Sequence, residues 1–303
     1  MSRRTRPSLV ALTAALLIAG LLSACSSSGS TASSSSAAPT TQPPKLYVSL
    51  GDSYASGYQP GAGNTTNGFA YQLVDKLHAA GTDLQLANFG CGGATTTSIL
   101  NTPGCKSLGP NGIDYPDRSQ AAAAEDYLRQ HQGEVSLITV SIGGNDVTSC
   151  ATQADPVGCV TAAVKTVSTN LGTLVHDLRD AAGPDVQIVG TTYPDVVLGA
   201  WVTGIPTAQA LAKQSVLAFQ LLLNPALKSA YESVGGTFVD VTEATGAYGS
   251  LDETTTLDPY GTIPVPVAKV CQLTYACDKQ DIHPTTPGYS LIADLIAAVV
   301  PHS

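Results

Sequence analysis

Five short apolar runs, most of them rich in β-branched residues and separated by longer stretches of helical periodicity, constrain the fold of this chain more than any other feature. They read KLYVSL from Lys45, LQLANF from Leu84, VSLITVSI from Val135, VQIVGTTY from Val186 and GTFVDV from Gly236. Short, nearly continuous apolar runs suit strands buried on both faces, as in a parallel sheet. Between them the spacing predicts helices over 69–80, 119–132, 160–182 and 207–234, with a last one over 287–299. The alternation predicts an α/β fold: a three-layer α/β/α arrangement around a central five-stranded parallel sheet. Ligands of such sheets bind outside the carboxyl ends of the strands, so function is to be sought in the residues just after each strand.

The chain before Lys45 has a different character. Arg3, Arg4 and Arg6 precede an apolar run from Leu9 to Ala24. Its 16 residues fall short of the ~18 to 20 that cross a hydrocarbon core and suit a secretion signal. The run closes in LSAC, Leu22 to Cys25, which resembles a bacterial lipobox. That resemblance implies cleavage before Cys25, lipidation of its thiol and anchoring to the outer face of the cell membrane, with a soluble secreted protein as the alternative. RRTRP is a weak twin-arginine pattern and leaves the export route open. Residues 25–44 are Ser-rich without apolar periodicity and read as a flexible tether with a reach of about 25 Å, or as an O-glycosylated stalk. The expected organisation is a signal peptide at 1–24, a tether at 25–44 and one domain at 45–303.

Charge narrows the function classes. The chain has 14 basic and 23 acidic residues, and removing the three leader arginines leaves 11 against 23, a net charge of −12. No basic patch interleaved with aromatics is present, which argues against nucleic-acid binding. Of seven cysteines, six remain beyond Cys25, an even number in a chain expected to be exported. Six allow 15 pairings; their order suggests the local pairs Cys91–Cys105, Cys150–Cys159 and Cys271–Cys277. There is no C-x-x-C and only five scattered histidines, so neither a metal ion nor an organic cofactor is expected.

Three strand ends carry small, polar, glycine-rich segments: GDSY after the first, GCGGATT after the second and GGNDV after the third. Ser53 in the first is a candidate nucleophile, which needs a base within hydrogen-bond reach and donors for an oxyanion. His283, in DIHPTTPGY before the last helix, is the best base; Thr286 is expected to cap that helix, with Pro287 at its first position. His78, His131 and His176 fall within helical patterns and His302 is near the end of the sequence. The N–H groups of Ser53 and Gly93 and the amide of Asn145 could supply three oxyanion donors. An amide donates where an ionised carboxylate only accepts. The stretch 242–281 reads as a long irregular loop, and with Tyr54, Tyr58 and Trp201 it could wall an acyl pocket, though buried aromatics more commonly serve a core.

These segments resemble the four blocks of the SGNH hydrolases, also called GDSL esterases and lipases. GDSY matches the first block with Ser53, NFGCGGATT the second with Gly93, GGND the third with Asn145, and DIHP the last with His283. The resemblance spans nearly all of 45–299 and implies ester hydrolysis through a Ser53 acyl-enzyme, with His283 as base and Ser53, Gly93 and Asn145 as the oxyanion hole. The three local cysteine pairs further resemble a branch of secreted bacterial lipases and esterases. Tyr54 replaces the family's usual leucine, a change expected to be chemically neutral, and Asp52 is expected to support the turn. Many members place an aspartate three residues before the histidine; here that position is Gln280, and Asp281 stands two before. The resemblance to dyad-type members favours the Gln280 backbone carbonyl as the orienter of His283, with Asp281 secondary. The substrate stays open among lipid or other acyl esters, acetylated envelope glycans and thioesters, and a non-catalytic ligand-binding lipoprotein is the alternative of another class. A monomer is expected. The G-x-S-x-G elbow is absent, since Ala55 occupies its last position.

Overall fold

In a computed structural model of the chain, residues 45–301 are described; the leader, Cys25, the tether and His302 lie outside them. Five parallel strands form the central sheet: β1 (Lys45–Gly51), β2 (Leu84–Asn88), β3 (Val135–Ser141), β4 (Gln187–Thr191) and β5 (Thr237–Val239). Their spatial order is β2-β1-β3-β4-β5, so the order reverses between β1 and β3. Pairing runs from Lys45↔Leu84 on one side of β1 and Tyr47↔Leu137 on the other to Val189↔Thr237 at the far edge. The five expected strands are all present in one sheet.

Alternation along the strands sends side chains to two separate cores. Leu46, Val48 and Leu50 of β1, with Ile138 and Val140 of β3, belong to one core. It is closed by the helices α3 (Gln120–Gln130), α4 (Pro156–Ala182) and α6 (Asn224–Ser233), through residues such as Leu128, Leu171 and Leu227. Tyr47, Leu137 and Val189 belong to the other, closed by α1 (Phe69–Ala79) and α8 (Thr286–Ala297) through Phe69, Leu73, Tyr289 and Ile292. A period of two in the strands therefore places a helical layer on each face. Within the second core Tyr47 has a polar partner for its phenol, the Thr139 hydroxyl at 2.7 Å.

Several boundaries differ from the expectation. The helix α4 begins at Pro156, four residues early, because Asp155 caps it by accepting the Gly158 N–H and Pro156 suits the first turn. The expected single helix over 207–234 is α5 (Pro206–Ala218), a π-helical turn at Phe219–Leu223, and α6. The cap of α8 is Thr285, whose hydroxyl accepts the Gly288 N–H, so Thr286 is the first helical residue. A short helix α2 (Thr96–Asn101), closed by a Thr95/Ser98 capping box, was not expected.

The stretch 242–281 is not irregular. It holds a hairpin of Thr254–Leu257 with Gly261–Pro264, followed by α7 (Val265–Leu273). Its prolines start rather than break structure: Pro264 caps α7 and Pro266 sits in the first turn, where the missing N–H costs nothing. Ile263, Val267 and Val270 form a third core with Leu198 and Ala212. The bonded cysteine pairs are Cys91–Cys105, Cys150–Cys159 and Cys271–Cys277, the local set expected. No described helix is long and apolar enough to cross a membrane.

Candidate active site

The sheet reverses order between β1 and β3, and the segments leaving their carboxyl ends lie side by side. A Cβ on Gly51 would stand 2.1 Å from the Ser141 carbonyl oxygen, and Gly51 has φ +140°, so only glycine fits where the two strands leave the sheet. The Gln120 side chain spans the same point, accepting the Gly51 N–H at 2.7 Å and donating to the Gly51 carbonyl at 3.0 Å. After this pinned turn comes one turn of helix, Ser53–Ser56, capped by Asp52, whose Oδ1 accepts the Tyr54 N–H at 2.9 Å.

Ser53 Oγ lies 2.7 Å from His283 Nε2, and His283 Nδ1 lies 2.7 Å from Asp281 Oδ1. A carboxylate accepts, which makes Nδ1 the protonated nitrogen and leaves Nε2 free to accept the Ser53 proton. The group that meets Nδ1 is thus the Asp281 carboxylate and not the Gln280 carbonyl favoured from the sequence. The reason is local: the same Asp281 oxygen also accepts the His283 backbone N–H at 2.9 Å, which folds the carboxylate back along the chain to the ring. Gln280, at φ +52°, sits in the preceding turn with its side chain exposed. Burial pushes the His283 imidazole below its ordinary value of 6.5, against the opposing pull of Asp281.

Neither the Ser53 nor the Gly93 N–H donates to an acceptor among the described residues. Gly93 has φ +82°, a conformation that aims backbone rather than side chain. Asn145 Nδ2 donates to the Ala94 carbonyl at 2.8 Å, fixing the amide and tying the third block to the second. Asn88 links the second block to the first: its Nδ2 donates to the Ala55 carbonyl and its Oδ1 accepts the Gly90 N–H, both at 2.8 Å. A serine hydroxyl hydrogen-bonded to an oriented imidazole, with its own backbone N–H and that of Gly93 unpaired, has parts that attack on a carbonyl requires. His78 pairs with Asp83 and His131 with Glu134, both exposed and away from this cluster. No group of three or more His, Cys, Asp or Glu among the described residues could hold a metal ion.

A profile of the GDSL-like lipase/acylhydrolase family matches residues 49–291. The chain belongs to that family. It is a hydrolase of ester bonds. No curated protein matches it in sequence. Among solved structures it is similar to an extracellular lipase of Streptomyces rimosus, at 17% identity and a TM-score of 0.48, covering 84% of this chain and 99% of that one. It is also similar to the acetylxylan esterase Axe2 of Geobacillus stearothermophilus, at 16% identity and a TM-score of 0.47, covering 86% and 95%. A third similar structure is a putative arylesterase of Agrobacterium tumefaciens, at 16% identity and a TM-score of 0.44, covering 84% and 97%.

In this GDSL hydrolase Tyr54 is hydrogen-bonded beside the base. Its hydroxyl donates to the Ile282 carbonyl at 2.6 Å, and its ring centroid lies 5.9 Å from that of His283. Tyr193, unnoticed in the sequence, stacks edge-on against Tyr54 at 4.9 Å and donates its phenol to Asp52 Oδ2 at 2.7 Å. Burial pushes the Asp52 carboxyl up to about 7. Asp146 of GGND accepts the Thr96 N–H at 2.9 Å, anchoring α2 beside the site. The signal for both residues was present, since each lies just after a strand end. Tyr58 lies against His283 with ring centroids 4.5 Å apart. Trp201 packs into the third core beneath Lys213 instead of walling a pocket, and residues 242–281 line no part of the cavity beside Ser53.

Proposed function

We propose that Ser53 is the nucleophile of a serine ester hydrolase, with His283 as its base and Asp281 as the group that orients the base. Ser53 Oγ attacks the ester carbonyl carbon as its proton passes to His283 Nε2, and the imidazolium is stabilised by Asp281. The carbonyl oxygen becomes an anion held by the N–H groups of Ser53 and Gly93 and by Asn145. The carbon–alkoxide bond then breaks, the alcohol leaves with the proton from His283, and an acyl-Ser53 ester remains. Water, deprotonated by His283, releases the acid by the same path. The observation that carries the reading is the continuous chain Ser53 Oγ, His283 Nε2, His283 Nδ1, Asp281 Oδ1, with both links at 2.7 Å.

Wild-type protein should hydrolyse p-nitrophenyl esters, and Ser53→Ala should lose that activity with its circular-dichroism spectrum and melting temperature retained. Persistent activity in the variant would remove Ser53 from the mechanism. The sequence LSAC and the tether support a second part of the proposal, a lipoprotein held at the outer face of the cell membrane through Cys25. Cys25→Ser should shift the protein from the detergent phase to the aqueous phase in a partition assay.

A further inference from the structure

Beside Ser53 lies a cavity of about 540 Å³, within the ~300 to 1,000 Å³ of ligand pockets generally. Beyond Asp52, Ser53, Tyr54 and Ile282, its walls come from three places: the segment 144–160 after β3, the segment 193–200 after β4, and the end of α5 with the π-helical turn. Aliphatic side chains dominate them, among them Val147, Val160, Val197, Leu211 and Leu222.

The polar groups on this wall are nearly all engaged already. The two Asp52 oxygens accept from the Tyr54 N–H and the Tyr193 hydroxyl. The Ser215 hydroxyl donates to Asp195 at 2.7 Å, and the Thr148 hydroxyl to the Gly144 carbonyl at 2.6 Å. Little is left to receive the hydroxyls of a sugar, and no lysine or arginine lines the cavity to meet an acidic group. The apolar lining also runs out to solvent. Val157, Leu217 and Leu221 line the cavity yet are 57%, 56% and 64% exposed. They are three of the five large hydrophobic residues that stand out on the described surface.

Resting on the ester-hydrolase reading, we propose that this cavity takes the acyl chain of the substrate, and that the substrate is an ester of a long unbranched fatty acid. The carboxyl end sits at Ser53, the hydrocarbon runs along the aliphatic walls, and its far end passes over Val157, Leu217 and Leu221. Acetate would leave most of this surface wet, and a glycan acetyl ester would find few partners on it.

The test uses p-nitrophenyl acetate, butyrate, hexanoate and octanoate below their micellar concentrations, with octyl acetate as a control for a chain on the alcohol side. Each added methylene can raise kcat/KM by up to about fourfold, so octanoate should exceed acetate by more than a hundredfold. Ala218→Phe, which fills the cavity, should keep acetate hydrolysis and lose most of that rise. Leu221→Gln, at an exposed position that does not threaten folding, should lower octanoate hydrolysis several-fold and leave acetate unchanged. A flat or falling chain-length profile in the wild type would overturn the proposal, as would a gain confined to octyl acetate. So would equal losses on acetate and octanoate in Leu221→Gln. Absence of Ser53-dependent hydrolysis of every ester, acetate included, would instead overturn the underlying reading.

Discussion

Asp281 reaches His283 because one of its oxygens serves two donors two residues away, the backbone N–H and Nδ1. Asp281→Asn keeps a backbone acceptor but offers the ring an amide that can hold the wrong tautomer, as in serine proteases where this change costs about 10⁴ in kcat. We expect a fall of at least a hundredfold with the melting temperature little changed; a smaller loss would return the orienting role to the backbone. The pH profile adds a second readout. Burial lowers the His283 pKa and Asp281 raises it, so the acid limb of kcat/KM should lie below 6.5 in the wild type and move further down in Asp281→Asn. Tyr54 acts one step further out, holding the Ile282 carbonyl next to the base. Tyr54→Phe should reduce kcat about fivefold at unchanged KM, because one hydrogen bond of ~1 kcal/mol is lost at a position that orients rather than binds.

The loop bearing His283 is held by the segment immediately after α7. The Tyr275 N–H donates to the His283 carbonyl at 2.9 Å, and the Asp281 N–H to the Tyr275 carbonyl at 3.2 Å. Tyr275 lies inside the small ring closed by Cys271 and Cys277, six positions apart. Chain-entropy arguments give a ring of that size about 2 kcal/mol of stabilisation. Replacing both cysteines by serine should lower the unfolding free energy by roughly that amount in denaturant titrations. Activity should fall more steeply than the folded fraction, since the segment released carries both Asp281 and His283. Equal losses of fold and activity would mean that the disulfide does nothing local for the base.

Two buried carboxylates set a property of the whole molecule. Asp52 and Asp195 come just after β1 and β4 and are almost wholly buried. Burial pushes both up to about 7 from an ordinary value of 3.8. Between those values the folded chain binds protons that the unfolded chain releases. Their contribution to stability is therefore full below about pH 4, declines as pH rises to about 7, and is level above. Asp195→Asn removes one such group. The wild-type advantage over this variant, measured by urea unfolding, should be larger at pH 4.5 than at pH 7.5; an advantage that grows with pH would mean that Asp195 is stabilised as the anion.

Strand number, the helical layers, the order of the four blocks and the local cysteine pairs were legible because each is written in short-range spacing. A run such as VSLITVSI records burial on both faces wherever it ends up, and cysteines a few residues apart have few other partners within reach. Boundaries were less legible where a proline reads equally as a breaker or as a first helical residue, as at Pro156 and Pro266. The Asp281 contact was hidden because one turn decides whether a carboxylate folds back onto its neighbour. The cavity was hidden for a different reason. Its walls come from segments far apart in the chain, and residues such as Val160 and Leu222 carry the same apolar signature whether they fill a core or border a space. Local patterns were enough for an α/β fold with Ser53 just after its first strand and His283 just before its last helix, and the resemblance of the four blocks supplied the expectation of ester hydrolysis. Which carboxylate meets the imidazole, and where hydrocarbon is left room, came only with the packed chain, because both depend on surfaces that exist once distant segments have met.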